Sequence, residues 1–103
     1  MINITFDKLD PEGLTEAMRS SANGAVVTFL GTTRDSFDGK KVIRLEYEAY
    51  EDMATKKLDE IRKEMQQQFS IEDIAISHRI GVVDISEISL VVVVASPHRK
   101  EAF

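Results

Sequence analysis

Ile88-Ser89-Leu90-Val91-Val92-Val93-Val94-Ala95, followed at once by Ser96-Pro97-His98-Arg99-Lys100, decides how the rest of this chain is read. Leu90 to Ala95 is the longest unbroken apolar run, of strand length and far short of the ~20 residues that cross a bilayer. Residues 88–95 are therefore expected to form the central strand of a sheet. Ser96-Pro97 has the form of a helix start, with Ser at the N-cap and Pro at the first helical position. Pro97 to Phe103 is less than two turns at about 3.6 residues each. Such a helix is marginal alone, so the sequence is expected to be cut short inside it.

Four further strands are expected before this one. Ile74, Ile76, His78 and Ile80 alternate with polar neighbours up to Gly81, and Val82-Val83 with a turn at 84–87 lead on to residue 88. Residues 51–69 carry Ala54, Leu58, Ile61, Met65 and Phe69 at three- and four-residue spacing, the clearest helix in the chain. Residues 25–30 read as a buried strand ending at Gly31. The polar stretch 32–41 contains the Asp38-Gly39 turn signal, and Ile43, Leu45 and Tyr47 then alternate with charged residues. Those two strands could pair antiparallel across the loop. At the start come a strand over 3–6, with Ile4 and Phe6 facing one way, and a helix from Asp10-Pro11 to about Ser21, with Gly24 as its stop. This order gives an α+β sandwich, a mostly antiparallel sheet with helices packed on one face.

The chain of 103 residues is one domain, with a core expected to bury roughly 60–70% of the unfolded surface. With 18 acidic against 13 basic residues, net charge −5, it is a poor candidate for nucleic-acid binding through overall charge. A local cluster of cations for a small anion remains open. The absence of cysteine excludes disulfides and thiolate chemistry. No basic or apolar leader marks the first residues for export, and the default placement is cytoplasmic.

The strongest constellation is His98-Arg99-Lys100 directly after a buried strand. Cations in a first helical turn oppose the macrodipole, at several tenths of a kcal/mol each, which makes sense if an anion sits among them. Solvated surface residues are the equally weighted alternative. Gly31-Thr32-Thr33-Arg34 is the second candidate, because glycine permits close approach and the guanidinium suits phosphate. Taken alone, an exposed loop arginine is the simpler reading there. His78 and His98 have no paired metal-ligand spacing, and His78 reads as a hydrogen-bonded core residue. Glu46 and Glu48 could be an acid–base pair, but a solvated strand face is the simpler account. Tyr47, Tyr50 and Phe29 could stack on a planar ligand, with packing or an interface as the default. Ser36, Ser77 and Ser96 lack a nucleophile elbow, and Met53, Met65 and Phe69 read as core.

Four segments carry a resemblance. They are Gly24-Ala25-Val26-Val27-Thr28-Phe29-Leu30-Gly31-Thr32-Thr33-Arg34, Leu45-Glu46-Tyr47-Glu48-Ala49-Tyr50 with Met53-Ala54, Ser77-His78-Arg79-Ile80-Gly81, and Ser96-Pro97-His98-Arg99-Lys100-Glu101-Ala102-Phe103. In order and spacing they resemble the large, catalytic subunit of molybdopterin synthase. The resemblance implies an α/β hammerhead-type fold with an added antiparallel sheet. It also implies transfer of sulfur, from the C-terminal thiocarboxylate of a small ubiquitin-like subunit, to cyclic pyranopterin monophosphate. The product is the molybdopterin dithiolene. Two large subunits would form a homodimer within a heterotetramer.

By the same resemblance Arg34, His98 and Arg99 match the residues that hold the substrate's phosphate and pterin, while Lys100 matches no assigned position. No metal or redox cofactor is implied, since the sulfur arrives activated on the partner. The family's catalytic lysines would lie beyond Phe103. On this reading either the sequence is part of a longer protein or the natural protein has lost the activity. A non-catalytic pterin- or phosphate-binding relative is the alternative function, and a plain α+β interaction module is the third.

Overall fold

The computed structural model describes residues 1–37, 40–41, 44–47 and 51–103, with side chains described outside 37–51. Its main sheet has the order β1-β6-β8-β2, where β1 is Ile2–Thr5, β2 Ala25–Thr32, β6 Asp73–Arg79 and β8 Ile88–Ser96. The β1/β6 pair is parallel, whereas β6/β8 and β8/β2 are antiparallel. Strand β8 is interior, as its apolar run requires. Val91, Val93 and Ala95 are fully buried and form a core with Met18 and Ala75. Leu9, Leu14, Val26 and Ile88 pack around that core.

Helix α1 (Pro11–Met18) begins as the sequence indicates. Asp10 is the N-cap, its carboxylate accepting from the Gly13 N–H at 3.1 Å, with Pro11 in the first turn. It ends at Met18, three residues short of the expected Ser21, because Arg19 is already extended. Helix α2 (Glu51–Gln68) lies along β1 and β6. Arg62 ties it to the sheet. Its Nη1 donates to Asp73 at 2.9 Å and its Nε to Asp59 at 2.9 Å; the bond from Arg62, followed by that from Lys63, holds the Asp59 carboxyl below its usual range. Met65 and Phe69 border Ile74 and Val94, whereas α1 covers Ala75, Val91 and Val93. Successive residues of β6 and β8 thus serve different helices.

Four expectations are corrected. Residues 25–30, read as a buried strand, belong to the edge strand of the main sheet, where no residue is buried and Phe29 and Leu30 are exposed. Strand β2 pairs with β8, and not with the strand after the Asp38-Gly39 turn; that later strand, β5 (Arg44–Tyr47), pairs with β7 (Gly81–Asp84). The run over 25–30 finds its match in the equally apolar β8, whose register brings Phe29 opposite Val92. Met53 and Phe69 are exposed, at 72% and 48%, so neither is core. Phe6, expected to share an inward face with Ile4, is 64% exposed beyond the end of β1. A short β3/β4 pair (Ser36–Phe37, Lys40–Lys41) precedes β5. The Asp38-Gly39 turn, Ile43, Glu48, Ala49 and Tyr50 lie outside the described residues, as do the side chains of Glu46 and Tyr47.

Gly81 is where the chain leaves one sheet for another. It has φ +86°, a conformation costly for any residue with a Cβ, and it follows β6 and opens β7. The chain returns to β8 through a turn in which Ser86 also has positive φ, 68°.

Candidate functional site

Strand β8 delivers His98, Arg99 and Lys100 to the end of the sheet. Ser96 is fully buried, and its hydroxyl accepts from the His98 N–H at 3.3 Å while donating to the His98 carbonyl at 2.7 Å. A hydroxyl has one proton, so the Ser70 carbonyl at 3.3 Å is the weaker competitor for it. The bond to the His98 N–H is the one an N-cap serine makes, yet the backbone does not turn helical at Pro97. His98 is extended (φ −124°, ψ 142°) and is itself the N-cap of α3, a single turn over Arg99–Ala102. The expected start at Pro97 is corrected by two residues. The macrodipole argument weakens with it, because one turn carries little dipole.

Gly24 supports this segment from below. A Cβ at residue 24 would lie 2.5 Å from the Pro97 carbonyl oxygen, a backbone atom that cannot swing aside. Gly24, read from sequence as a helix stop, is therefore a close-approach glycine. Gly24→Ala is expected to push Pro97 and His98 outward and to destabilise the fold by about 1–3 kcal/mol, within the usual cost of overpacking. A melting temperature unchanged to within a degree would contradict it.

His98, Arg99 and Lys100 are all exposed. His98 makes no side-chain capping bond. Arg34 is exposed as well, and its loop is anchored on the turn before β8. The N–H of Thr33 donates to the Glu87 carbonyl at 3.1 Å, and the Thr33 carbonyl accepts from the Ser86 N–H at 2.9 Å. Thr33 itself is only 3% exposed.

The structure does not bring the two cationic groups together within one chain. The β2/β8 register runs from Ala25 opposite Ser96 to Thr32 opposite Ile88. Arg34 follows the second end of that ladder, and His98 and Arg99 follow the first. At about 3.3 Å per residue the ladder separates them by roughly 25 Å.

His78, read from sequence as a hydrogen-bonded core residue, is hydrogen-bonded, its Nδ1 lying 2.8 Å from the Ser89 carbonyl, but it is half-buried in β6 and not part of the core. Sequence reasoning missed Arg79 and Glu87, joined at 3.0 Å between the end of β6 and the start of β8. That hydrogen bond is the main cause holding the Glu87 carboxyl below its usual range. No local pattern signals a contact made by strand ends in space.

The model of the family described as MoaE protein matches residues 4–103. The chain is 45% identical over 102 residues to molybdopterin synthase catalytic subunit 1 of Aedes aegypti, covering 98% of this chain and 66% of that protein. It is 43% identical over 100 residues to the molybdopterin synthase catalytic subunit of Bacillus subtilis (strain 168), covering 97% of this chain and 64% of that protein. The X-ray structure of molybdopterin synthase from Staphylococcus aureus is similar with a TM-score of 0.91 at 40% identity, covering 97% of this chain and 73% of that one. The chain thus spans slightly less than two thirds of the length of these two curated relatives. With the match running through both cationic segments, the chain belongs to the MoaE protein family, that of the molybdopterin synthase catalytic subunits.

Proposed function

We propose that this chain holds cyclic pyranopterin monophosphate for sulfur transfer from a small ubiquitin-like subunit bearing a C-terminal thiocarboxylate. Arg34, His98 and Arg99 are the substrate-binding residues in this reading. The observation that carries it is the exposed His98-Arg99 pair, set on a rigid strand end by Ser96 and Gly24 in a chain whose net charge is −5. A cyclic phosphate is a diester with one negative charge shared by two non-bridging oxygens, and a planar guanidinium matches that pair of oxygens at once.

The roughly 25 Å between Arg34 and the His98-Arg99 pair within a chain fits a pocket assembled from two copies, Arg34 from one and His98 and Arg99 from the other. This agrees with the homodimer implied by the family resemblance. The sulfur chemistry then belongs mostly to the partner. Each of two thiocarboxylates supplies one sulfur: a carbon–sulfur bond forms as a carbon–oxygen bond of the pterin side chain breaks, the oxygen leaving as water or with the phosphate, and water cleaving each resulting thioester leaves that partner's terminus as a carboxylate. The cations orient the phosphate and offset its charge. The family's two catalytic lysines have no counterpart among residues 1–103, so binding and turnover are expected to separate. Titrated with the cyclic pterin, these residues should bind it; given the thiocarboxylated small subunit as well, they should form little dithiolene. Absence of binding would sink the proposal, and full turnover would contradict the assignment of catalysis to lysines outside residues 1–103.

A further inference from the structure

We infer that Arg79 and Glu87 are positioning residues that set Arg34 for the phosphate, an inference that rests on the reading of Arg34 as a phosphate ligand. Arg34 is an exposed side chain, and the position of its Cα is set by the backbone that carries it. That backbone is clamped at Thr33, whose N–H and C=O are both bonded to the 86–87 turn. The turn is an unlikely place to find rigidity, since Ser86 sits at φ 68°, a region serine rarely adopts.

The turn is held by the Glu87 N–H, which donates to the Asp84 carbonyl at 3.1 Å, and by the Glu87 side chain. One carboxylate oxygen accepts from Arg79 Nη1 at 3.0 Å; the other accepts from the Asp84 N–H at 3.3 Å and closes the turn on itself. Lys8 lies at the 4.0 Å limit and adds little. Arg79 is well rooted for this role. It is the last residue of β6, paired with Thr5 of β1, and its side chain is 15% exposed. The chain of contacts runs from the main sheet through Arg79 and Glu87 to the 86–87 backbone, then through Thr33 to Arg34. Glu87 and Arg79 touch no substrate in this arrangement; they act through Thr33.

The test is a double-mutant cycle read by pterin titration, with amide hydrogen exchange at Thr33 and Ser86 as a ligand-free readout. Glu87→Gln is expected to weaken binding of cyclic pyranopterin monophosphate about fivefold when Arg34 is present and less than about twofold in an Arg34→Ala background. Exchange at both amides should accelerate in either background. Arg79→Lys keeps the ion pair and should retain most of the binding, whereas Arg79→Met should behave like Glu87→Gln. Equal weakening in both backgrounds would show a merely structural role and overturn the inference, as would unchanged binding and exchange in Glu87→Gln. If Arg34→Ala alone left binding intact, the reading of Arg34 would fail. Accelerated exchange in Glu87→Gln would then show that the clamp itself is real.

Discussion

A chain carrying His98→Ala together with Arg99→Ala is expected to bind cyclic pyranopterin monophosphate at least ~100-fold more weakly, with a melting temperature within about 2 °C of the parent. Each charge-assisted hydrogen bond to an ionised phosphate is worth about 1.5–3 kcal/mol, and losing two accounts for the factor. Stability should be spared for a different reason. Both side chains are exposed, and the segment is fixed by backbone and by Ser96, none of which the substitutions touch. Calorimetric titration alongside a thermal melt checks both halves. A loss of binding accompanied by a large drop in melting temperature would mean that the pair is structural. Unchanged binding would remove these residues from the pocket. Lys100→Ala, at the flank, should weaken binding only modestly and become less effective as salt rises.

Val93→Asp is expected to leave the chain largely unfolded at 25 °C. Val93 has no accessible surface and lies among Met18, Ala75, Val91 and Ala95, all buried and apolar. A carboxylate there has no cation to pair with among those neighbours, and its desolvation costs several kcal/mol even after relaxation or protonation. A small domain holds only about 5–15 kcal/mol in total. Circular dichroism and one-dimensional proton NMR would report the loss of packing. A cooperative melt within a few degrees of the parent would contradict the placement of β8 at the centre of the sheet.

The parts of the fold legible in the sequence are those written in local periodicity. The unbroken run from Leu90 to Ala95 gave its own position, because only an interior strand can hide apolar residues along its whole length. The stripe Leu58, Ile61, Met65 marked α2, and Asp10-Pro11 marked the start of α1. Pairing was not legible. The Asp38-Gly39 turn made neighbouring strands look like partners, whereas β2 crosses to β8, more than fifty residues on, where the apolar surfaces match. Ser96-Pro97 illustrates a subtler limit: the capping bond forms, but Gly24 pressed against Pro97 and the extended His98 delay the helix. For the site, residue types were readable and their relative placement was not. Arg34 and His98 each follow an apolar run, a fact the sequence contains; that one run is the exposed edge β2 and the other the interior β8, and that they lie antiparallel with the two ends far apart, is set by tertiary pairing alone.

On the proposed assignment of Arg34, His98 and Arg99, that antiparallel ladder is a spacer between two half-sites on every molecule. A compact fused-ring guest is much shorter than the spacer, so a single copy would grip it from only one side. Occupancy would then rise with the square of the protein concentration when the chain is dilute and the two-fold pair is weak. Affinity, on this account, is a property of an encounter between copies and is lost on dilution even though every side chain keeps its place.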